Sequence, residues 1–273
     1  MASSSPARGR AAGFRDLHYG DAPLLLPNAW DVPSALAFVE AGFTAIGTTS
    51  FGVACSGGEP DGGRSTRRAN LDLATALARM PCYLSLDVED GYADEPEPVA
   101  DYVAQLHVAG INIEDSTAES LIAPEMHAAK VLAIKLRSPD VFVNARVDTY
   151  WLNQDATLSA TIERAEHYIA AGADGIFVPG ATDPKVIGEL AARIGRPLNV
   201  LAIPGVSLTE LAGLGVRRVS TGSLPYRAAI FAATQAAVAV RDGCPVPDST
   251  GYADLQSRMV DYARVRSSAD SPR

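Results

Sequence analysis

One pattern recurs along the chain and constrains its fold more than any other: an amphipathic stretch, a glycine, then a short apolar run. It stands in VEAGFTAI, HVAGINIE, AAGADG and AGLGVRRV. A glycine that ends a helix just before a strand is the punctuation of a βα unit, and its repetition leaves no linker between separate domains. Eight strands are expected, at Leu24 to Leu26, Ala45 to Gly47, Tyr83 to Leu86, Gly110 to Ile113, Val141 to Ala145, Gly175 to Val178, Asn199 to Ile203 and Arg218 to Ser220. Between them the apolar residues take helical spacing, as in Leu71, Ala74, Leu77 and Ala78. A chain of 273 residues is the size of one (β/α)₈ TIM barrel, roughly 250 residues, with little left over. The expected organisation is a disordered tail over 1–20 and a single barrel over 21–273. Pro225 to Val240 reads as the last barrel helix. After the proline-marked GCPVPDSTG, Tyr252 to Val265 reads as an additional C-terminal helix, expected to pack on a neighbouring subunit.

Charge narrows the partners. With 32 acidic against 23 basic side chains the net charge is −9, which repels polyanions and argues against nucleic acid or an anionic membrane surface. Cys55, Cys82 and Cys244 are odd in number and lack CxxC spacing, which fits a reducing compartment. No apolar run approaches the roughly 20 residues of a membrane span, and MASSSPARGRAAGFR has no apolar signal core, so a cytoplasmic protein is expected.

In such a barrel the chemistry belongs where strands end and the following loops begin. Those positions are acidic here. Period-two alternation through LSLDVEDG puts Asp87 and Glu89 on one face, and the next strand ends Ile113-Glu114-Asp115. Several carboxylates on adjacent strands call for a cation, and hard oxygen donors select Mg²⁺, or Mn²⁺ in its place, over zinc. The competing explanation has Asp90 and Asp115 capping helices and Glu89 in solvent. The fifth strand ends Asn144-Ala145-Arg146-Val147-Asp148, and its arginine is placed to hold a substrate carboxylate by two parallel hydrogen bonds or to pair with Glu114 or Asp148.

The segments LPNAWDVPSA, LDVEDGY, NIEDS and NARVDTY, in that order on the first, third, fourth and fifth strands, resemble the isocitrate lyase/phosphoenolpyruvate mutase superfamily. The resemblance implies a (β/α)₈ barrel whose final helix is exchanged with a neighbour in a dimer or dimer of dimers. It implies that Asp87 binds Mg²⁺ most directly, with Glu89 and Glu114 acting through metal-bound water, and that Arg146 fixes a substrate carboxylate. It also implies that Thr49, Ser50 and Phe51 surround the carboxylate and oxo group of a 2-oxo acid. Asp61 falls on the aspartate of the loop after the second strand, and Trp30 on the first-strand motif of one branch, although packing of Trp30 and helix capping by Asp31 explain that segment equally.

Two departures shape the expected activity. The lyase branches carry Lys-Lys-Cys-Gly-His after the fourth strand, where this chain reads STAESLIAPEMHAAK, and the phosphomutase branch has a lysine, an asparagine and a strand-six histidine that are missing here. His107, His127 and His167 lie within helical segments and read as packing or surface residues. Candidate proton carriers are Asp61, Glu119, Ser116, Tyr92 and metal-bound water. The expectation is therefore a Mg²⁺-dependent enzyme that breaks a carbon–carbon bond in a small 2-oxo or 2-hydroxy carboxylate, as a lyase or oxaloacetate-type hydrolase, through an enolate-like intermediate. The alternatives are a phosphoenolpyruvate phosphomutase-like carbon–phosphorus enzyme, a phosphosugar-type barrel binding phosphate after strands seven and eight, and a non-catalytic 2-oxo-acid-binding protein.

Overall fold

The computed structural model describes residues 12–270. Its first barrel strand is broken by Pro27, which cannot donate to a ladder, into β1 (Leu24–Leu26) and β2 (Asn28–Ala29). The others are β3 (Ala45–Thr48), β4 (Tyr83–Asp87), β5 (Gly110–Glu114), β8 (Phe142–Arg146), β9 (Gly175–Phe177), β10 (Leu198–Leu201) and β11 (Val216–Ser220), while β6 (Ser116–Thr117) and β7 (Ser120–Leu121) form a small antiparallel hairpin. All main-sheet pairs are parallel, in the order β1-β11-β10-β9-β8-β5-β4-β3-β2. Because β1 and β2 are consecutive halves of one strand, that order runs round a barrel. All eight expected strands are present.

The strands are buried on both faces, as a parallel sheet under helices requires, and the largest apolar cluster lies between strands and helices, with Leu86, Ile111, Val143 and Ile176 fully buried. Helix Pro96–Leu106 shows the usual arrangement: proline in its first turn, then Val99, Ala100, Tyr102, Val103 and Leu106 buried on one side.

Two expectations change. Residues 12–20, assigned to a disordered tail, are helical over 12–16 and 17–19, and Phe14 is fully buried with Leu26, Ala45, Ala109 and Phe142. The rest of that tail, 1–11, lies outside the described residues. A Cβ on Gly110 would meet the Phe14 ring at 2.7 Å, so the glycine that starts β5 makes room for this plug. The second change concerns the C-terminal helices. Helix Leu224–Asp242, read as the last barrel helix, buries none of its residues. The additional helix Tyr252–Asp270 touches this chain's own barrel, with Tyr262 Oη donating to Ala76 O (3.0 Å) and Arg258 paired with Glu40 (2.6 Å), but none of residues 252–265 is buried either, and its packing on a neighbour stays a proposal.

Candidate active site

The C-terminal ends of the strands open into a cavity of about 360 Å³ lined by residues from most of the barrel. Its floor follows from register. Asp87 of β4 stands opposite Asn112 of β5, Asn112 opposite Asn144 of β8, and Glu114 opposite Arg146. Directly opposed residues on one face are within reach of each other. Asn144 Nδ2 accordingly donates to Asn112 Oδ1 (2.9 Å), and Arg146 Nη1 to Glu114 Oε1 (2.6 Å).

Arg146 is also held by its own strand end, Nε donating to Asp148 Oδ1 at 2.5 Å, and its guanidinium lies 5.4 Å from the Trp151 ring centroid and 5.8 Å from that of Phe177. No acceptor for Nη2 is found among the described residues. Burial alone would lower the pKa of this guanidinium, but Asp148, Glu114 and Asp87 more than reverse that, so it stays charged. Asp148 is in turn fixed by Ser116, whose Oγ donates to Oδ2 at 2.5 Å.

Asp87 lines the cavity differently. Its backbone N–H donates to Thr48 Oγ1 (2.9 Å), and its Oδ2 accepts the Ser50 N–H at 3.3 Å. Its Oδ1 is buried with no partner. Burial, opposed by Arg146 and reinforced by Asp61 and Glu89, raises its pKa from 3.8 to about 6. A buried carboxylate oxygen without a donor costs stability unless something compensates it, and a hard cation completed by water fits that oxygen. Asp61 lines the same cavity. Glu114, spent on Arg146, fits only an outer position around such an ion, and among the described residues no three carboxylates, histidines or cysteines converge into a ready-made metal cage.

Glu89 departs from its expected place. Strand β4 ends at Asp87, and Glu89 takes φ +47°, followed by Gly91 at +92° and Tyr92 at +64°, so the alternation that put Asp87 and Glu89 on one face stops between them. A Cβ on Gly91 would also strike Val99 at 2.5 Å. The Glu89 carboxylate is buried away from the cavity lining, accepting the Arg64 N–H (2.8 Å) and the Thr66 hydroxyl. Tyr92 closes that group: its hydroxyl meets Thr66 Oγ1 at 2.9 Å and accepts from Asn70 Nδ2 at 3.1 Å, while burial holds the phenol well above its usual pKa.

The neighbouring acids are neither helix caps nor solvated. Asp90 takes Arg64 Nη2 (2.6 Å), Thr117 Oγ1 (2.6 Å) and the Tyr92 N–H (3.0 Å). Asp115 takes the Asp148 N–H (2.8 Å), Tyr168 Oη (2.7 Å) and Arg164 Nη1 (2.9 Å).

Of the expected substrate contacts, Thr49, Ser50 and Phe51 line the cavity beside Asp87 and Arg146. Trp30 does not: it packs edge-on against Tyr226, ring centroids 5.4 Å apart, and Asp31 caps helix Val32–Glu40. Of the proton carriers, Asp61 reaches the cavity. Ser116 is buried on Asp148, and Glu119 is exposed at φ +59° on the turn of the β6–β7 hairpin.

Sequence reasoning passed over Arg218 and Arg227. Arg218 is fully buried inside the barrel, with Nη2 donating to Asn112 Oδ1 (3.0 Å) and Nη1 without a partner. Burial lowers its pKa to about 9, and only Asp87 opposes that shift. The available signal was alternation: Arg218 shares a period-two face with Ser220, which lines the cavity. Arg227 lines the cavity from the first turns of helix Leu224–Asp242.

A parallel barrel with a paired arginine, a half-satisfied buried aspartate and small hydroxyl residues at one mouth has the form of a barrel enzyme with its site at the strand ends. The phosphoenolpyruvate phosphomutase family matches residues 14–241, and the chain belongs to it, within the isocitrate lyase/phosphoenolpyruvate mutase superfamily. An uncharacterized protein of Mycobacterium tuberculosis is 61% identical over 249 residues, covering 91% of this chain and 96% of that one. The 2-methylisocitrate lyase of Halalkalibacterium halodurans is 30% identical over 269 residues, with 92% and 88% covered. A solved Burkholderia cenocepacia structure, provisionally described as a lyase/mutase, superposes with a TM-score of 0.84 at 33% identity, covering 93% of this chain and 96% of that one.

Proposed function

We propose that this chain is a Mg²⁺-dependent enzyme that breaks a carbon–carbon bond beside the carbonyl or carbinol carbon of a small 2-oxo or 2-hydroxy carboxylate, as a lyase or an oxaloacetate-type hydrolase, through an enolate-like intermediate. The observation that carries this reading is Asp87, buried in a cavity it shares with Arg146 and left with one oxygen unpartnered. Asp87, with Asp61 beside the same cavity and Glu114 in an outer position, would hold the ion, with Mn²⁺ able to replace Mg²⁺. The bound ion would supply Lewis-acid polarisation of the substrate's oxo or hydroxyl oxygen.

The chain's own residues do the rest. Arg146 is oriented by Glu114 and Asp148 and keeps Nη2 for a substrate carboxylate. Thr49, Ser50 and Phe51 shape the wall against which that carboxylate lies. Asp61 is the proton carrier, and Phe177 and Pro179 give the same cavity an apolar wall. Support for the metal comes also from a phosphonopyruvate hydrolase that shares the fold at 23% identity and was solved with oxalate and Mg²⁺. Among the described residues no lysine lines the cavity, which favours carbon–carbon cleavage over phosphoryl or phosphono transfer.

The proposal extends to a cytoplasmic homo-oligomer, a dimer or dimer of dimers, built on helix Leu224–Asp242. No helix among the described residues is long and apolar enough to cross a membrane.

The test is turnover of oxaloacetate, isocitrate and 2-methylisocitrate with Mg²⁺ or EDTA, by the parent and by Asp87→Ala. Activity should require the ion, and the variant should lose at least about 100-fold in kcat while remaining folded by circular dichroism. Turnover that ignores both EDTA and the substitution excludes the metal reading.

A further inference from the structure

Resting on that reading, we infer that Arg218 is a positioning residue: from inside the barrel it fixes the direction of the Asn112 carboxamide, so that the cavity floor turns an N–H donor, and not a carbonyl, toward an anionic substrate. Asn112 lines the cavity from β5, directly opposite Asp87 of β4. Its Oδ1 accepts from Asn144 Nδ2 at 2.9 Å and from Arg218 Nη2 at 3.0 Å. With the carbonyl end so occupied, the Nδ2 end is left to the cavity, and it makes no hydrogen bond to a described residue.

The two donors differ in what they enforce. A carboxamide carries a donor at one end and an acceptor at the other, so an Asn112–Asn144 pair by itself is equally well bonded with both groups turned over. A guanidinium has donors only. Arg218 therefore admits one of the two arrangements, the one with the Asn112 carbonyl facing into the barrel. The turned-over pair would set that carbonyl beside the Asp87 carboxylate, where it repels an anion, and would take from Arg218 Nη2 its shortest hydrogen bond.

Space and bracing suit this pairing. A Cβ on Gly175, which stands opposite Asn144 in β9, would meet Asn144 Oδ1 at 2.9 Å, so that glycine makes room for the second carboxamide. Arg218 is steadied by two longer contacts of 3.4 Å, Nε to Ser220 Oγ and Nη2 to Ser85 Oγ. Its place is costly. The guanidinium is fully buried, has no carboxylate partner among the described residues and leaves Nη1 unsatisfied. Burying such a cation works against folding, and an apolar side chain of similar length would fill the space at less cost, so stability does not account for an arginine here.

Calorimetry measures Mg²⁺ binding to the metal-free protein and then oxalate binding to the Mg²⁺-loaded protein. The proteins are the parent, Arg218→Met, Arg218→Lys, Arg218→Gln, Asn112→Leu and the double variant of Arg218→Met with Asn112→Leu, with urea midpoints as the check on folding. Arg218→Met should weaken oxalate about 10-fold, as for loss of a hydrogen bond to a charged group. Mg²⁺ alone should bind it as tightly as the parent or more tightly, since a nearby cation has gone. Asn112→Leu should weaken oxalate to a similar degree, and the double variant should match Asn112→Leu within about twofold. Lysine, which only donates, should restore binding in part, and glutamine, which can turn over, should not.

Oxalate binding to Arg218→Met at the parent's affinity overturns the inference. Additive losses in the double variant do the same, because they assign the effect to the charge of Arg218 alone, and so does rescue by glutamine equal to that by lysine. Mg²⁺ and oxalate binding weakened together, with a lowered urea midpoint, assigns Arg218 a structural role and also overturns it. If Arg218→Met does not fold, the contrast between lysine and glutamine decides. In each of these cases oxalate still binds the parent and the proposed function stands. A parent that does not bind oxalate in the presence of Mg²⁺ removes the proposed function and this inference together.

Discussion

His127 shows how far burial can set a residue's chemistry. Both its ring nitrogens are buried without a partner, its ring sits edge-on to Tyr168, and burial, reinforced by Lys130 and Arg164, lowers its pKa from 6.5 to about 3. His18, stacked on Phe142 beneath the barrel, is likewise lowered to about 3, first by burial and then by Arg218. Both stay neutral in the folded protein, whereas in the unfolded chain they take up a proton near 6.5. The stability they supply is thus present above pH 6.5 and lost as pH falls toward 3, at about 1.4 kcal/mol per unit for each residue. His127→Leu should therefore lose about 2 kcal/mol less than the parent between pH 7.5 and 5, read from urea midpoints at the two pH values. An equal loss in both proteins would show that His127 does not drive the acid sensitivity. Arg218 illustrates the opposite choice, a buried cation retained without a carboxylate partner, and its one electrostatic counterpart is the Asp87 on which the proposed chemistry depends.

Between elements, the loops at the barrel mouth are joined through Asp90. It binds Arg64 from the 57–66 loop and Thr117 from the β6–β7 hairpin, and its backbone carbonyl accepts from the buried Lys130 at 2.9 Å. Burial works to raise the Asp90 pKa, but the hydrogen bonds from Arg64 and Thr117 outweigh it and hold the carboxyl below its usual range. The hairpin is braced on its other side by Gln154, whose Nε2 donates to Glu119 O at 2.9 Å and whose Oε1 accepts the Leu121 N–H at 3.1 Å. Asp90→Asn leaves Arg64 and Lys130 facing a neutral group in a mostly buried site. It should cost about 3 kcal/mol in denaturant unfolding and expose residues 57–66 to limited proteolysis. A variant as stable and protease-resistant as the parent would deny Asp90 this joining role. The short elements here were not legible beforehand: β6 and β7 have two residues each, too few for a hydrophobic period to register.

At the level of the whole molecule, the two C-terminal helices do not behave like the rest. Helix Leu224–Asp242 has Ile230, Phe231 and Val240 exposed at 53%, 67% and 68%, while the helices on the barrel wall bury one face. Contiguous exposed apolar side chains on an ordered helix mark an interaction surface, and a second copy of this chain presents the same surface to it. Light scattering should give a mass above the 28.6 kDa of the chain, and Ile230→Glu with Phe231→Glu should return it toward the monomer. A monomeric parent would remove the oligomer from the proposal. The expectation of an appended helix lying on a neighbour was drawn from the proline break before Tyr252. Helix Tyr252–Asp270 also leaves Tyr252 and Val265 exposed, at 85% and 54%, so its docking on a neighbour belongs to the same proposal.

What the sequence determined by itself was the barrel, its eight strands and the mouth at their C-terminal ends, with Asp87 and Arg146 placed there. These rest on glycine punctuation and on a period of two, interactions that act over a few residues and are written locally. Only the tertiary structure decided which acids are already spent and which group remains open. Glu89 is committed to Arg64 and Thr66, twenty-three or more residues away in the chain, after a left-handed turn that alternation could not anticipate. Ser116 is committed to Asp148 and Glu114 to Arg146, each across thirty-two residues, while Asp87 keeps a bare oxygen and Arg227 an unbalanced charge. Those pairings form when distant loops meet at the barrel mouth, where burial makes each remaining donor and acceptor costly to leave alone.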